Sequence, residues 1–114
     1  MGNIKVKEIN LERGGPTVEA ALRNLINQLS TCKAQGYKAV ILIHGYGSSG
    51  TGGAIKPAVT AKLKERSLSG VVRGTCKGED WMEKKGEMMR ACPQLHDFST
   101  RIGGNLGITV VLLK

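Results

Sequence analysis

Ala39-Val40-Ile41-Leu42-Ile43, with the glycine-rich run from His44 to Gly53 directly after it, decides the fold. Five consecutive apolar residues, rich in branched side chains, are typical of a strand that is buried on both faces of a sheet. Five of the next ten residues are glycine, which permits left-handed backbone and lets a ligand approach the chain closely. The stretch therefore predicts a central strand that leads into a ligand-binding loop.

Strands and helices alternate on both sides of this stretch. Ile4 to Leu11 alternates apolar and charged residues, which indicates a strand. Val18 to Cys32 repeats apolar residues every three or four positions, which predicts an amphipathic helix that begins after Thr17. The further predicted elements are a helix that buries Ile55, Val59 and Leu63, a strand from Val71 towards Cys76, and a central strand from Ile108 to Leu113.

The order β-α-β-α-β-β predicts an α/β fold, a two-layer sandwich. We expect a mixed sheet of about four strands with two helices on one face. A chain of 114 residues has the size of one domain, so residues 1–114 are predicted to fold as a unit. The segment from Lys77 to Phe98 is the hardest to assign to helix or strand. It predicts either a short helix or an insertion packed over an edge of the sheet.

The chain carries a formal charge of +8, from 17 basic and nine acidic residues. Such a balance on a small surface attracts polyanions, so nucleic acid is the predicted partner. The alternative is that the charge only maintains solubility. The segment from Lys56 to Lys77 argues against that alternative, because Glu65 is the single acidic residue within it.

Membrane and redox features point to the cytosol. No apolar run is long enough to cross a membrane, and no signal peptide begins the chain, so we predict a cytoplasmic protein without a membrane partner. Three cysteines are an odd number and fit reduced thiols. Cys76, Cys92 and His96 lack a fourth zinc ligand and a Cys-x-x-Cys pair, so no metal site is predicted from them.

The glycine loop fits a phosphate, because amides at the start of the following helix would point at an anion. It does not match a Walker loop, since Ala54 follows Gly53 where lysine is required. A mononucleotide site and a connector without ligand remain alternatives. His44 either acts at the phosphate, as acid, base or donor, or holds the shape of the loop. The predicted phosphate-binding residues are His44, Gly45, Tyr46, Gly47, Gly50, Gly52, Gly53 and Lys56.

Three blocks of the chain together resemble the small MutS-related (Smr) domain. They are Gly15-Pro16-Thr17-Val18-Glu19-Ala20-Ala21-Leu22 with Ile43-His44-Gly45-Tyr46-Gly47, then Gly52 to Val59, and finally Gly104 to Lys114. The resemblance implies a β-α-β-α-β-β sandwich. It also implies binding of DNA or RNA, often with nicking or endonuclease activity.

The chain departs from the family pattern at two places. Leu11-Glu12-Arg13-Gly14-Gly15 stands where the family has Leu-Asp-Leu-His-Gly, so an acid is kept as Glu12 and the motif histidine is replaced by Gly14. The resemblance implies Glu12 and His44 as candidate catalytic residues, with Mg²⁺ as the cofactor if the chain is a nuclease. The segment at about 77–100 matches the family pattern poorly and is predicted to be an insertion.

Three functions follow from the sequence and stay open at this point. The first is nucleic-acid binding with endonuclease chemistry, in which Glu12 would bind a metal or act as the base. The second is a non-catalytic module that binds nucleic acid or a ribosome through phosphate and shape. The third is a small enzyme that binds a nucleotide or another phosphate compound.

Overall fold

The computed structural model describes residues 5–45 and 52–114. Four strands form one sheet: β1 (Val6–Asn10), β2 (Ala39–Ile43), β3 (Val72–Lys77) and β4 (Ile108–Leu113). Their order across the sheet is β1-β2-β4-β3. β1 and β2 are parallel, whereas β4 is antiparallel to both of its neighbours. This confirms the predicted mixed sheet and the central position of β2 and β4, whose burial follows from sequences that are apolar except at Thr109.

Two helices, α1 (Val18–Ala34) and α2 (Gly52–Leu63), cover one face of the sheet, as predicted. Thr17 caps α1, because its hydroxyl oxygen accepts a hydrogen bond from the Ala20 amide at 3.1 Å. The buried positions of the two helices repeat every three or four residues and pack on Val40, Leu42 and Val111. α2 begins at Gly52, so Pro57 lies inside the helix rather than in its first turn.

The other face of the sheet is covered by the segment after β3, for which the sequence predicted either a short helix or an insertion. It contains α3 (Trp81–Ala91) and α4 (Ser99–Ile102), joined by a 3-10 helix over Pro93–Phe98, after a first 3-10 turn at Gly78–Asp80. Trp81 is fully buried there, and its indole N–H donates to the Ser99 hydroxyl at 2.8 Å. The two-layer description is therefore incomplete. The sheet lies between two helical layers, each with its own core.

The direction of the strands brings several loops to one end of the sheet. β1, β2 and β3 finish at Asn10, Ile43 and Lys77, and β4 starts beside them at Ile108. We call this end the carboxyl edge. In open α/β sheets, ligands bind at the end where parallel strands finish. No helix within residues 5–45 and 52–114 is long and apolar enough to span a membrane.

Candidate functional site

The turn after β1 holds Glu12 at the carboxyl edge. The Asn10 side-chain oxygen accepts from the amides of Glu12, at 3.0 Å, and Arg13, at 2.9 Å. An asparagine that bonds the backbone two and three residues ahead fixes a tight turn. The exposed Glu12 side chain then lies against Gly45, where an added Cβ would overlap a carboxylate oxygen of Glu12. The structure thus brings the two motifs of the sequence analysis together.

Gly14 occupies the position of the histidine in the family motif. Its φ is +82°, a left-handed conformation that L side chains rarely adopt, although nothing lies within 4 Å of the position of a Cβ. Glycine in place of histidine therefore suits the left-handed backbone at position 14. A histidine at position 14 would have room, but it would strain the chain.

His44 lies inside the protein, with none of its surface exposed. Its Nδ1 is 2.6 Å from the Gly45 carbonyl oxygen, and its Nε2 is 2.8 Å from the Thr109 hydroxyl. Because a carbonyl only accepts, Nδ1 carries the proton, and Nε2 accepts from the Thr109 hydroxyl. Both ring nitrogens are therefore satisfied within the protein, and neither is directed at a ligand.

Burial lowers the pKa of His44 below its usual value of 6.5, because charging a buried ring costs solvation energy. The hydrogen bond with the Gly45 backbone opposes this shift, and the positive charge of Lys56 adds to it. Glu12 and Glu79 exert smaller opposing effects. His44 is consequently a neutral ring at pH 7, which agrees with the single-proton tautomer deduced from its partners.

Gly107 locks the turn after β2 onto the turn before β4. Its carbonyl accepts from the amides of His44, at 2.9 Å, and Gly45, at 3.2 Å. Its own amide donates to the Asn105 side-chain oxygen at 2.8 Å. An added Cβ on Gly107 would lie 3.2 Å from the Gly45 Cα, so the two backbones touch where neither has a side chain. We call His44, Gly45 and Gly107 the His44 turn.

A cleft of about 230 Å³ opens over this turn. Gly45 and Gly107 line it with their backbone, together with the polar residues Glu12, Arg101 and Asn105 and the apolar residues Ile43 and Ile108. Arg101 also forms an ion pair with Glu8. A second, polar cleft of about 400 Å³ shares the Arg101 and Ile43 linings and follows the open edge of β1; its other lining residues include Lys7, Asn10 and Arg13.

Lys56, the predicted basic companion of the loop, is ion-paired. Its ammonium nitrogen lies 2.7 Å from a carboxylate oxygen of Glu79, and only 17% of its side chain is exposed. The hydrogen bond from Lys56 lowers the pKa of Glu79. The pair joins the first half of α2 to the turn after β3. A phosphate bound by Lys56 would therefore have to displace Glu79 or share the lysine with it.

The predicted site residues are distributed as follows. Glu12, His44, Gly45 and Lys56 all lie at the carboxyl edge, and Gly52 and Gly53 form the first residues of α2. Tyr46, Gly47 and Gly50 lie outside the described residues. Sequence reasoning missed Glu79, Arg101, Asn105, Gly107 and Thr109. The one available signal was the glycine-rich run before the last strand, from Gly103 to Gly107.

Within the described ranges, no three His, Cys, Asp or Glu side chains converge on one point where they could hold an ion. Glu12 is the carboxylate of the cleft over the His44 turn.

The fold and this site define a class: a small basic α/β domain with a glycine-lined turn at the carboxyl edge of its sheet. Residues 13–89 match the family model of the Smr domain, and the chain belongs to that family. It is also similar to the crystal structure of the Smr domain of Thermus thermophilus MutS2, with 28% identity and a TM-score of 0.60. That similarity covers 95% of this chain and 98% of the other. No curated protein matches the sequence.

Proposed function

We propose that this chain binds DNA or RNA at the carboxyl edge, through contacts to phosphate and to backbone shape. The observation that carries the proposal is the cleft over the His44 turn, where Gly45 and Gly107 present backbone without side chains. A phosphate oxygen can approach such a floor closely. Membership of the Smr family supports nucleic acid as the source of that phosphate.

Charge around the cleft supports the same ligand. Arg13 and Arg101 line the adjoining polar cleft together with Glu8, which pairs with Arg101. α2 begins at this edge with backbone amides that lack partners within the helix. Arg13 forms no ion pair within the described part of the chain. Guanidinium groups suit phosphate, because they donate in a planar fork. Specificity for sequence is expected to be low, since phosphate contacts carry no base information.

In this proposal His44 is a positioning residue. Its ring holds the Gly45 carbonyl on one side and the Thr109 hydroxyl on the other, so it fixes the curvature of the turn. The sequence left two roles open for His44, and its burial favours the one that shapes the loop.

A salt titration tests the binding proposal. Fluorescence anisotropy with labelled single-stranded DNA, duplex DNA and structured RNA would give the affinity at increasing salt concentration. Because each neutralised phosphate releases counterions, the logarithm of the affinity should fall linearly with the logarithm of the salt concentration. An affinity that is independent of salt would refute the proposal. Tight, salt-resistant binding of a mononucleotide would instead favour the small phosphate-binding enzyme.

Endonuclease or nicking activity is a second candidate, favoured by the position of Glu12. Its carboxylate lies in the cleft, beside the turn that would hold the phosphate. Mg²⁺ in proteins is commonly held by one or two carboxylates together with phosphates of the substrate, so a single glutamate fits such a group. Glu12 would hold the metal, which would supply Lewis-acid chemistry, or it would act as the base.

Cleavage is tested with the same labelled nucleic acids, with Mg²⁺ and with a chelator. Glu12→Gln keeps the size of the side chain and removes its charge, so it should abolish cleavage while the salt-dependent binding remains. Glu19→Gln on α1 is the control, because the Glu19 carboxylate pairs with Arg23, is exposed and lies outside the cleft. Equal cleavage by native protein and Glu12→Gln would remove Glu12 from the mechanism.

A further inference from the structure

A third cleft lies at the open edge of β3. β3 pairs with β4 alone among the described strands. The cleft has a volume of about 240 Å³, and three lysines from three separate elements line it. Lys64 follows α2, Lys77 ends β3 and Lys84 belongs to α3. We call these three side chains the lysine groove.

A shallower depression of about 440 Å³ continues the groove along α2. This depression shares Lys64 and Lys77 with the lysine groove and adds Lys56, which lies near the His44 turn. The two depressions therefore connect the β3 edge with the carboxyl edge. A linear ligand bound over the turn could follow this surface past the Lys56–Glu79 pair.

The lysines of the groove have no carboxylate partner among the described residues. Lys56 and Lys62, on the same helix, are paired with Glu79 and Glu65, whereas Lys64, Lys77 and Lys84 form no ion pair there. Asp80 is the one acidic residue that lines the cleft. Three ammonium groups around one depression repel one another, and among the described lining residues Asp80 alone offsets that repulsion. A bound polyanion would offset it.

Protection of the strand edge is the competing explanation. Lysine on an exposed edge strand discourages pairing with a second sheet, and Arg73 and Lys77 lie on β3 itself. Lys64 and Lys84 are not on the strand, however, and both line the same cleft as Lys77. Edge protection explains the β3 residues but not the convergence of the other two.

We propose that the lysine groove binds the phosphodiester backbone of a nucleic-acid strand that extends from the His44 turn along α2. The inference rests on the proposed function and adds a second contact region to it. The contacts would be to phosphate, because lysine acts as a compact point charge, and no aromatic side chain of the described residues lines either depression to stack on a base. The groove would therefore raise affinity without adding sequence preference.

The test compares two triple variants of equal charge. The groove variant is Lys64→Gln, Lys77→Gln and Lys84→Gln. The control variant is Lys5→Gln, Lys38→Gln and Lys114→Gln, whose residues lie next to the opposite ends of the strands, away from the carboxyl edge. Each variant lowers the net charge by three, so a general effect of charge would act on both. Binding of an oligonucleotide of about 20 nucleotides, longer than common single-strand sites, is measured between about 50 and 200 mM salt.

We expect the salt slope of the groove variant to be smaller by about 2 to 3, at about 0.7 to 0.9 per lost phosphate contact. Over the fourfold range of salt, the native chain should then lose roughly 20- to 40-fold more affinity than the groove variant. The control variant should keep the native slope. Thermal unfolding of both variants would show that neither loss comes from misfolding.

Three results would overturn the inference. If the native chain binds but the groove variant has the native slope, the groove lies off the path of the nucleic acid. If groove and control variants lose the same affinity, the effect is one of net charge. If poly-glutamate competes as well as the oligonucleotide, the groove selects acidic chains in general. Failure of the native chain to bind any nucleic acid would instead refute the proposed function itself.

Discussion

The His44 turn and the lysine groove flank the same helix, α2, but they are built in opposite ways. In the turn, a ring with no exposed surface and two touching backbones are held by hydrogen bonds that leave no ring nitrogen free. In the groove, three charged side chains line an open cleft without ion-pair partners in the described residues. The first region provides shape and the second provides charge. Substitutions should therefore separate stability from affinity.

The largest expected effect on stability is at His44. His44→Ala should lower the free energy of unfolding by about 3 kcal/mol, because it leaves a cavity and orphans the buried Thr109 hydroxyl. Urea unfolding followed by circular dichroism would measure the loss. Thr109→Val, which removes one hydroxyl and keeps the volume, should cost about 1 kcal/mol. The groove triple variant is the matching test of the lysine groove and should have the native free energy of unfolding. If His44→Ala changes that free energy as little as the groove variant does, the difference proposed between turn and groove is wrong.

A smaller loss is expected at Gly45. Gly45→Ala places a side chain on a residue with a φ of +70° and against the Glu12 carboxylate. The left-handed strain alone costs about 1 to 2 kcal/mol, and Glu12 must also move. Gly36→Ala is the matched control, because Gly36 has a φ of +89° and open space around it. Both variants should lose stability, and Gly45→Ala should also weaken nucleic-acid binding. Equal binding by the two variants would remove the turn from the ligand site.

The pH dependence of stability should follow the direction of the His44 pKa shift. The folded pKa of His44 lies below its value of 6.5 in the unfolded chain. As the pH falls below 6.5, the unfolded state gains a proton that the folded state does not, so stability decreases by at most about 1.4 kcal/mol per pH unit. Urea midpoints at pH 7.5, 6.5 and 5.5 would measure it. In His44→Gln the decrease over this range should be smaller, and an unchanged slope would mean that another group is responsible.

The same contrast explains what the sequence could predict. Apolar repeats gave the bounds of β2 and β4 and the buried sides of α1 and α2, because periodicity depends on neighbouring residues. The second face of the sheet lacked such a pattern. α3 has Gly86 at its middle and buries Trp81 and Met88 seven residues apart, and α4 has only four residues. Elements so short are stabilised by the sheet they cover rather than by their own propensity.

The candidate site was predictable only where its features depend on residues close together in the sequence. Glycine content marked Gly45 as a place where a ligand can approach the backbone, and the family pattern singled out Glu12. The structure brings Glu12 against Gly45, while the ligand contact stays a prediction. The hydrogen bond between His44 and Thr109 joins residues 65 positions apart, and it depends on the register of β2 against β4. The pairing of Lys56 with Glu79 depends in the same way on β3. The burial of His44 and the ion pairing of Lys56 both depend on tertiary structure, so local sequence patterns do not predict them.

The smallest expected effect on stability, and the one that links the two regions, is at Glu79. Glu79→Gln releases Lys56, which lies between the turn and the groove, and the partly exposed ion pair should contribute less than about 1 kcal/mol. One more lysine would then be free for phosphate. The salt slope of nucleic-acid binding should increase by about 0.7 to 0.9, and the affinity at low salt should rise severalfold. Glu65→Gln is the matched control, because it releases Lys62, which lines neither depression. If both variants raise affinity equally, the gain reflects net charge alone. If Glu79→Gln has no effect, Lys56 does not join the turn to the groove.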